Sequence, residues 1–152
     1  MLPYLLDEST PLKPKGIVRD GFSEMDMNAN IRSLHLSQVL SLKSHSGHLG
    51  AVDRLCLVGG AAGNPVLNQW IADGFNAETY SIKNASLAAP MGCAISGAIN
   101  VLGMTYSDAM HEFIELDANS VCRPNRDNSY IMEHLLQRYR NLENSIQGTS
   151  SS

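Results

Sequence analysis

The chain has 152 residues, of which 43% are hydrophobic and 17% charged, and its 15 acidic and 11 basic side chains give a formal net charge of −4. This composition suffices for one domain of ordinary size with a hydrophobic core, and it excludes a largely disordered chain. The negative charge argues against nucleic-acid binding, because proteins that bind nucleic acids usually carry a basic surface. The local basic cluster Lys13, Lys15 and Arg19 fits a solvated loop.

Cysteine usage and the first residues predict a reducing, cytoplasmic setting. Cys56, Cys93 and Cys122 are widely spaced and form neither a disulfide framework nor a zinc-ligand pattern. The first eight residues lack the basic region and the cleavage site of a secretion signal. The uncharged stretch between Lys83 and Asp108 is dominated by Ala and Gly, and we interpret it as a buried helix packed through small residues rather than a membrane span.

The predicted elements alternate after an irregular start, since residues 1–22 show no sustained periodicity and hold at most a short strand near residues 16–19. In chain order we predict a helix at about 25–43, a strand at 55–58, a helix from 65 to Gly74, a strand at 78–82, a helix at about 90–102, a short helix at 107–115, a long amphipathic helix at 131–146 and a frayed tail at 148–152. This order predicts an α/β architecture with few, parallel strands and several helices. The sheet is small for the chain, because parallel sheets need cover on both faces and at their edges.

Several helix starts carry local signals. Ser23-Glu24-Met25-Asp26 has the spacing of a capping box, with Asp in the last position. Asn64 is a good N-cap before Pro65, which suits the first helical position because its missing N–H has no partner there. By the same reasoning Pro90 opens its helix, and Ser107 caps the next one.

The most informative local feature is the turn Gly59-Gly60-Ala61-Ala62-Gly63 between a strand and a helix. Small residues there let a flat ligand lie against the backbone, and the helix start adds free N–H groups and a positive dipole end. The dinucleotide fingerprint would need a glycine at Val58, and the Gly-Lys-Ser/Thr ending of a phosphate loop is absent. By itself the turn fits a tight structural connection better than a nucleotide site, and both stay open.

Other residues with chemical potential form no constellation in the sequence. His45 and His48 could share a helix face, but no third ligand matches them, so we interpret them as surface histidines. We interpret Asp73 as a structural hydrogen-bond acceptor and Cys93 as an inert buried thiol. No residue is predicted to be catalytic or to bind a metal.

Taken in order, these segments resemble the C-terminal part of the FGGY carbohydrate kinases, whose ribonuclease H-like fold belongs to the actin and hexokinase superfamily. The similar segments are Leu2-Pro3-Tyr4-Leu5 with Glu8-Ser9-Thr10-Pro11 (L-P-Y-x-x-G-E-R-x-P in the family), Leu57 to Asn64 (G-G-A-x-x-N), Leu67 to Asp73 with its I-A-D ending, Ala88 to Ala94 (A-A-x-x-G-x-A), and Pro124, Tyr130 and Tyr139 of the closing helix. Among its members, xylulokinase-like proteins resemble the chain best.

The resemblance implies ATP-dependent phosphorylation of a sugar hydroxyl, on a ketopentose such as xylulose, with ATP and Mg²⁺ as cofactors and no magnesium ligand identified in this chain. It assigns the backbone of Gly59, Gly60 and Ala61 to contact with adenine, and the Asn64 side chain to a hydrogen bond with it. Residues 1–147 would form a partial C-terminal nucleotide-binding domain, and 148–152 a flexible tail. The family's sugar site, catalytic aspartate and phosphate loops lie in segments that this sequence does not contain, so we expect no turnover from the chain alone.

The expected partners follow from the same resemblance. They are ATP or ADP and, through the N-terminal domain of such a kinase, the sugar; we expect neither nucleic acid nor membrane, and a homo-oligomer is left open. The alternative is a non-catalytic structural or partner-docking fragment of the same fold, because an uncovered strand edge invites pairing with another polypeptide.

Overall fold

The computed structural model describes residues 1–9, 12–13 and 15–146, so the predicted tail at 148–152 lies outside the described residues. In chain order the elements are β1 (Leu2–Tyr4), β2 (Glu8–Ser9), β3 (Leu12–Lys13), β4 (Gly16–Val18), α1 (Met27–His45), β5 (Arg54–Leu57), α2 (Pro65–Phe75), β6 (Glu78–Ile82), α3 (Ala88–Leu102), α4 (Tyr106–Phe113), β7 (Leu116–Cys122) and α5 (Arg126–Ser145). This mixture confirms the predicted α/β class. The elements form two compact units, Met1–Ala51 with Arg126–Ser152, and Val52–Asn125.

The first unit packs α1 against α5 and β1. β1 pairs antiparallel with β4, and β2 with β3, so the prediction of irregular chain with at most one short strand was wrong for this region. Strands of two or three residues are too short to show a period in the sequence. The buried apolar side chains of this unit are Leu2, Tyr4, Val39, Leu40, Met132, Leu136 and Tyr139.

The second unit is built on a three-stranded sheet in the order β5-β6-β7. β5 and β6 are parallel, as predicted, and α2 connects them and packs on β6 and β7. β7 was not predicted, and it runs antiparallel to β6, so the sheet is mixed rather than parallel. Its sequence Leu-Asp-Ala-Asn-Ser-Val-Cys contains residues that are depleted in strands, and pairing with the largely buried β6 determines its conformation.

Two helix starts differ from the capping signals read in the sequence. Asp26, not Ser23, is the N-cap of α1, and its Oδ1 accepts from the backbone N–H of Ala29 at 3.0 Å. Thr105 caps α4 in place of Ser107. In both cases a neighbouring residue with an equally suitable side-chain oxygen occupies the cap, because tertiary packing sets where the helix begins.

The ends of α2 and the start of α3 are also shifted slightly. α2 continues past the predicted end at Gly74 to Phe75, and Asn76 ends it in the left-handed region with φ of 49°. Asparagine tolerates this conformation better than most residues, so it replaces the expected glycine. Pro90 is the third residue of α3 rather than the first, still within the turn whose N–H groups lack helical partners.

α3 is largely exposed, so the prediction of a buried helix packed through small residues was wrong. Ile95 is its one buried residue, and a Cβ atom at Gly92 or Gly97 would meet no neighbour within 4 Å. Cys93, predicted to be buried, is also exposed. Within the described residues, the window Ala85–Leu102 is the one segment long and apolar enough to cross a membrane by length and composition alone.

Candidate functional site

The strand-to-helix turn of the second unit is held by glycine geometry and a backbone hydrogen bond. After β5 the chain passes through Val58 and Gly59 into a 3-10 turn at Gly60–Gly63. Gly59 has φ of 91°, in the region that favours glycine because it has no Cβ. Its N–H donates to the carbonyl of Ala85 at 2.8 Å, and this bond ties the turn to the segment that begins α3.

The outer side of the turn is bare backbone. Gly60, Ala61 and Gly63 are exposed, whereas Ala62 is buried and anchors the turn from the inside. A Cβ atom at Gly60 would meet nothing within 4 Å. The exposed backbone of the turn is therefore open to close approach by another molecule.

Asn64 is the N-cap of α2, as predicted. Its Oδ1 accepts from the backbone N–H groups of Val66 at 3.1 Å and Leu67 at 3.2 Å. The side chain is exposed, and its Nδ2 donates to no acceptor in the described part of the chain. The cap therefore uses the oxygen, and the amide nitrogen can donate to a ligand without breaking it.

Asn68 positions the turn, and sequence reasoning did not single it out. This side chain is buried, and its Nδ2 donates to the carbonyl of Ala62 at 2.7 Å. Its Oδ1 is buried and has no protein partner among the described residues. The sequence signal that could have identified Asn68 is its spacing of four residues from Asn64, which places both amide side chains on one side of α2.

The start of α3 lies next to this turn through the bond between Gly59 and Ala85. Leu87 precedes the helix and makes no side-chain cap. The Leu87 side chain therefore does not cap the first N–H groups of α3. The positive end of the α3 dipole lies on the same side of the second unit as the Gly59–Gly63 turn.

Asp73 has the structural role predicted for it. It is buried, and its Oδ1 accepts from Gln69 Nε2 and from the backbone N–H of Asn125, both at 2.8 Å. The bond from Asn125 joins α2 to the segment that follows β7.

The first unit holds a buried polar cluster that sequence reasoning missed. His45, interpreted as a surface histidine, lies with Nε2 3.2 Å from Glu143 Oε1, and Tyr4 donates its hydroxyl to the same oxygen at 2.6 Å. Burial, with the bond to Glu143, raises the pKa of Tyr4 far above its ordinary value, and burial also raises the pKa of Tyr139. The cluster joins β1, α1 and α5.

Across the described residues, no group of three or more His, Cys, Asp or Glu side chains could hold a metal ion. The cysteines are free thiols, with Cys56 and Cys93 exposed and Cys122 half-buried.

Comparison of whole structures relates the fold to known enzymes. Neither a protein-family model nor a curated protein sequence matches the chain. A xylulose kinase from Rhodospirillum rubrum superposes with a TM-score of 0.66 at 18% identity, over 95% of this chain and 30% of that one. A ligand-bound xylulose kinase and a gluconate kinase, both from Lactobacillus acidophilus, each superpose with a TM-score of 0.62 at 19% identity, over 82% of this chain and 26% of theirs.

The chain shares its fold with part of a sugar kinase. This result confirms the fold expected from the FGGY resemblance. At identities below 20% the similarity establishes the sugar-kinase fold and not the substrate. The chain spans less than a third of the length of these kinases.

Proposed function

We propose that the chain is the adenine-nucleotide-binding C-terminal part of an ATP-dependent sugar kinase, with residues 1–147 as its partial nucleotide-binding domain. The observation that carries this proposal is the bare backbone turn Gly59–Gly63, followed by Asn64 with a free amide donor, within a sugar-kinase fold. The sugar that we propose is a ketopentose such as xylulose, because the chain's motifs resemble those of xylulokinase-like proteins. A cytoplasmic location follows from the same function.

In this site the purine ring lies against the backbone of Gly59, Gly60 and Ala61. Asn64 keeps its Oδ1 on the helix cap and donates from Nδ2 to a ring nitrogen of adenine. Asn68 holds the carbonyl of Ala62, so the turn keeps its shape without the ligand. This preorganisation reduces the entropy that binding would otherwise cost.

Catalysis by such a kinase consists mostly of positioning and charge stabilisation. ATP supplies the phosphoryl group for the sugar hydroxyl, and Mg²⁺ neutralises the charge that develops on the phosphates. The residues of this chain hold the adenosine end of the nucleotide. This anchoring sets how far the γ-phosphate lies from the turn. The catalytic base and the sugar contacts belong to other parts of the kinase fold.

Calorimetric titration of the purified chain with ATP and ADP tests the proposal. Gly60→Val adds a branched side chain to the exposed backbone of the turn, and its Cβ meets no protein atom within 4 Å. The substitution should therefore abolish nucleotide binding while the chain stays folded. Gly47→Val is the matched control, because Gly47 also has open space around its Cβ and lies in the first unit. Equal nucleotide affinity for Gly60→Val and Gly47→Val would contradict the assignment.

A second candidate is a non-catalytic docking fragment of the same fold. The observation in its favour is that, among the described residues, β5 pairs only with β6, so its other edge is open to another polypeptide. The two functions differ in nucleotide binding, which the docking role does not need.

A further inference from the structure

The first unit contains a groove that the proposed nucleotide site does not use. Its volume is about 780 Å³, within the roughly 300–1,000 Å³ of small-molecule sites. β1, α1, the 3-10 turn Gly47–Leu49 and α5 each contribute residues to its lining, and all of these residues belong to the first unit. The groove is therefore formed within that unit alone.

Part of the lining is apolar. Pro3, Leu5, Leu34 and Leu42 contribute to it, and Leu5 is 72% and Leu42 52% exposed. Among the described residues, no lysine, arginine, aspartate or glutamate side chain lines the groove. Burial of an unpaired charge costs far more than the covering of apolar surface contributes, so an uncharged ligand with an apolar body suits this lining.

His45 also lines the groove, and a buried carboxylate fixes the chemistry of its imidazole. The imidazole Nε2 lies 3.2 Å from Oε1 of Glu143, a residue that is 5% exposed. An ionised carboxylate only accepts hydrogen bonds, so Nε2 carries the proton and donates. In the neutral imidazole the other nitrogen, Nδ1, is then a hydrogen-bond acceptor.

Nδ1 of His45 bonds to no other group in the described chain, and 30% of the His45 side chain is exposed. The Tyr4 hydroxyl also lines the groove, but it donates to Glu143 at 2.6 Å. The Ser46 hydroxyl donates to the carbonyl of Lys43 at 3.4 Å. The Nδ1 acceptor is therefore available to a ligand that carries a hydroxyl.

We propose that this groove binds an uncharged phenol, a molecule with an apolar ring and one hydroxyl donor. The hydroxyl donates to Nδ1 of His45, and the ring packs against Leu5 and Leu42. A phenol is more acidic than an aliphatic alcohol and is therefore the stronger donor to an imidazole nitrogen, and its rigid ring loses little conformational entropy on binding. Glu143 acts as a positioning residue, because its bond to Nε2 fixes the tautomer and the orientation of the imidazole. The inference does not depend on the nucleotide site, which lies in the second unit.

Titration of the purified chain with p-cresol, followed by NMR of the backbone amides, tests the proposal. The matched compound is the methyl ether of p-cresol, which keeps the ring and the oxygen atom but cannot donate a hydrogen bond. One neutral hydrogen bond corresponds to a roughly 2- to 12-fold difference in affinity, so p-cresol should bind more tightly by this factor. The amides that shift should lie around the groove. Equal affinities, shifts confined to the second unit, or absence of p-cresol binding to the folded chain would overturn the proposal.

The ring nitrogens of His45 give a second readout by NMR. Donation from p-cresol should move the Nδ1 resonance upfield, towards that of a protonated nitrogen, and should leave the Nε2 resonance nearly unchanged. The methyl ether should move neither resonance. Binding of p-cresol without a shift at Nδ1 would show that the hydroxyl bonds elsewhere and would contradict the assignment.

His45→Gln removes the Nδ1 acceptor but keeps a side-chain N–H donor for Glu143. The variant should lower the affinity for p-cresol to that for the methyl ether. His35→Gln is the matched control, because His35 lies on the same helix outside the lining of the groove, and it should change neither affinity. A preference for p-cresol that persists in His45→Gln would refute the hydrogen bond.

Two tryptophan substitutions test the groove without altering the cluster of His45 and Glu143. Gln38 is exposed and lines the groove, so Gln38→Trp should fill it and abolish p-cresol binding. Arg32 is exposed on the same helix outside the lining, so Arg32→Trp should leave binding unchanged. Equal affinities in the two variants would exclude the groove as the site, including the case in which His45→Gln does not fold.

Glu143→Gln tests the positioning role. The two side chains have the same shape, but the amide can either accept from the imidazole or donate to it, so the tautomer of His45 is no longer fixed. NMR of the ring nitrogens should show both tautomers, and the preference for p-cresol over its methyl ether should diminish. A single, unchanged tautomer with an unchanged preference would contradict the role of Glu143.

Discussion

Replacing Asn64 with serine or alanine separates the two roles of this side chain. In the folded chain its Oδ1 accepts from two backbone N–H groups of α2, and its Nδ2 is available to a ligand. Serine is as good an N-cap as asparagine but has no amide nitrogen. Alanine has neither group. The two variants therefore differ in helix capping and share the loss of the proposed adenine donor.

The expected magnitudes follow from these bonds. Loss of an N-cap costs about 1 kcal/mol, which corresponds to a fall of roughly 2–4 °C in the melting temperature of a domain of this size. Asn64→Ala should show this fall, and Asn64→Ser should melt close to the original chain. Loss of one neutral hydrogen bond to adenine, about 0.5–1.5 kcal/mol, should weaken ATP binding by roughly 2- to 12-fold in both variants.

Two assays on the same samples read the two effects. Thermal unfolding followed by circular dichroism gives the stability, and calorimetric titration with ATP gives the affinity. An Asn64→Ser chain that binds ATP as tightly as the original would refute the role of Asn64 in adenine binding. An Asn64→Ala chain of unchanged stability would refute the cap.

Three further predictions concern stability. Burial keeps the Tyr4 phenol protonated in the folded chain, whereas in the unfolded chain it ionises near pH 10. The free energy of unfolding that the raised pKa of Tyr4 contributes is therefore fully present below about pH 10, and above it falls by up to about 1.4 kcal/mol per pH unit. Tyr4→Phe should lessen this loss of stability in urea unfolding measured from pH 9 to 12. Asp73→Ala removes the buried carboxylate that accepts from Gln69 Nε2 and from the N–H of Asn125, and it should destabilise the chain by about 2–3 kcal/mol in urea unfolding. A cost below about 0.5 kcal/mol would contradict the structural role. Leu2→Ala, at a fully buried position of β1, should cost about 2–5 kcal/mol, whereas the same change at the exposed Leu5 should cost little, and equal effects would show that β1 is not part of the core.

Features whose cause lies within a few residues were predictable from the sequence. The start of α2 depends on Asn64 and Pro65 and was predicted closely. The amphipathic periodicity of α5 extends over five turns, so the helix and its end were predicted, but it begins at Arg126, five residues before the predicted start. The turn at Gly59 was recognisable because only glycine readily adopts its backbone conformation. The carbohydrate-kinase fold was predicted from the order of such local motifs.

Features that depend on distant partners were not predictable. β7 contains Asp117, Asn119 and Ser120, which are uncommon in strands, and it becomes a strand because β6 offers it hydrogen bonds. The apolar, uncharged sequence of α3 indicated burial, but no element of the described chain covers its outer side.

The sequence by itself determined the cap of α2 and the glycine-rich turn before it, because the Asn64 cap bonds join residues two and three positions apart and the backbone conformation of Gly59 favours glycine. Only the tertiary structure decided the short hairpins, the mixed sheet and the cluster of Tyr4 with Glu143, whose hydroxyl and carboxylate meet across 139 positions of sequence. A contact such as that of Tyr4 with Glu143 forms only when packing offsets the entropy of closing a long loop, and no local pattern encodes that balance.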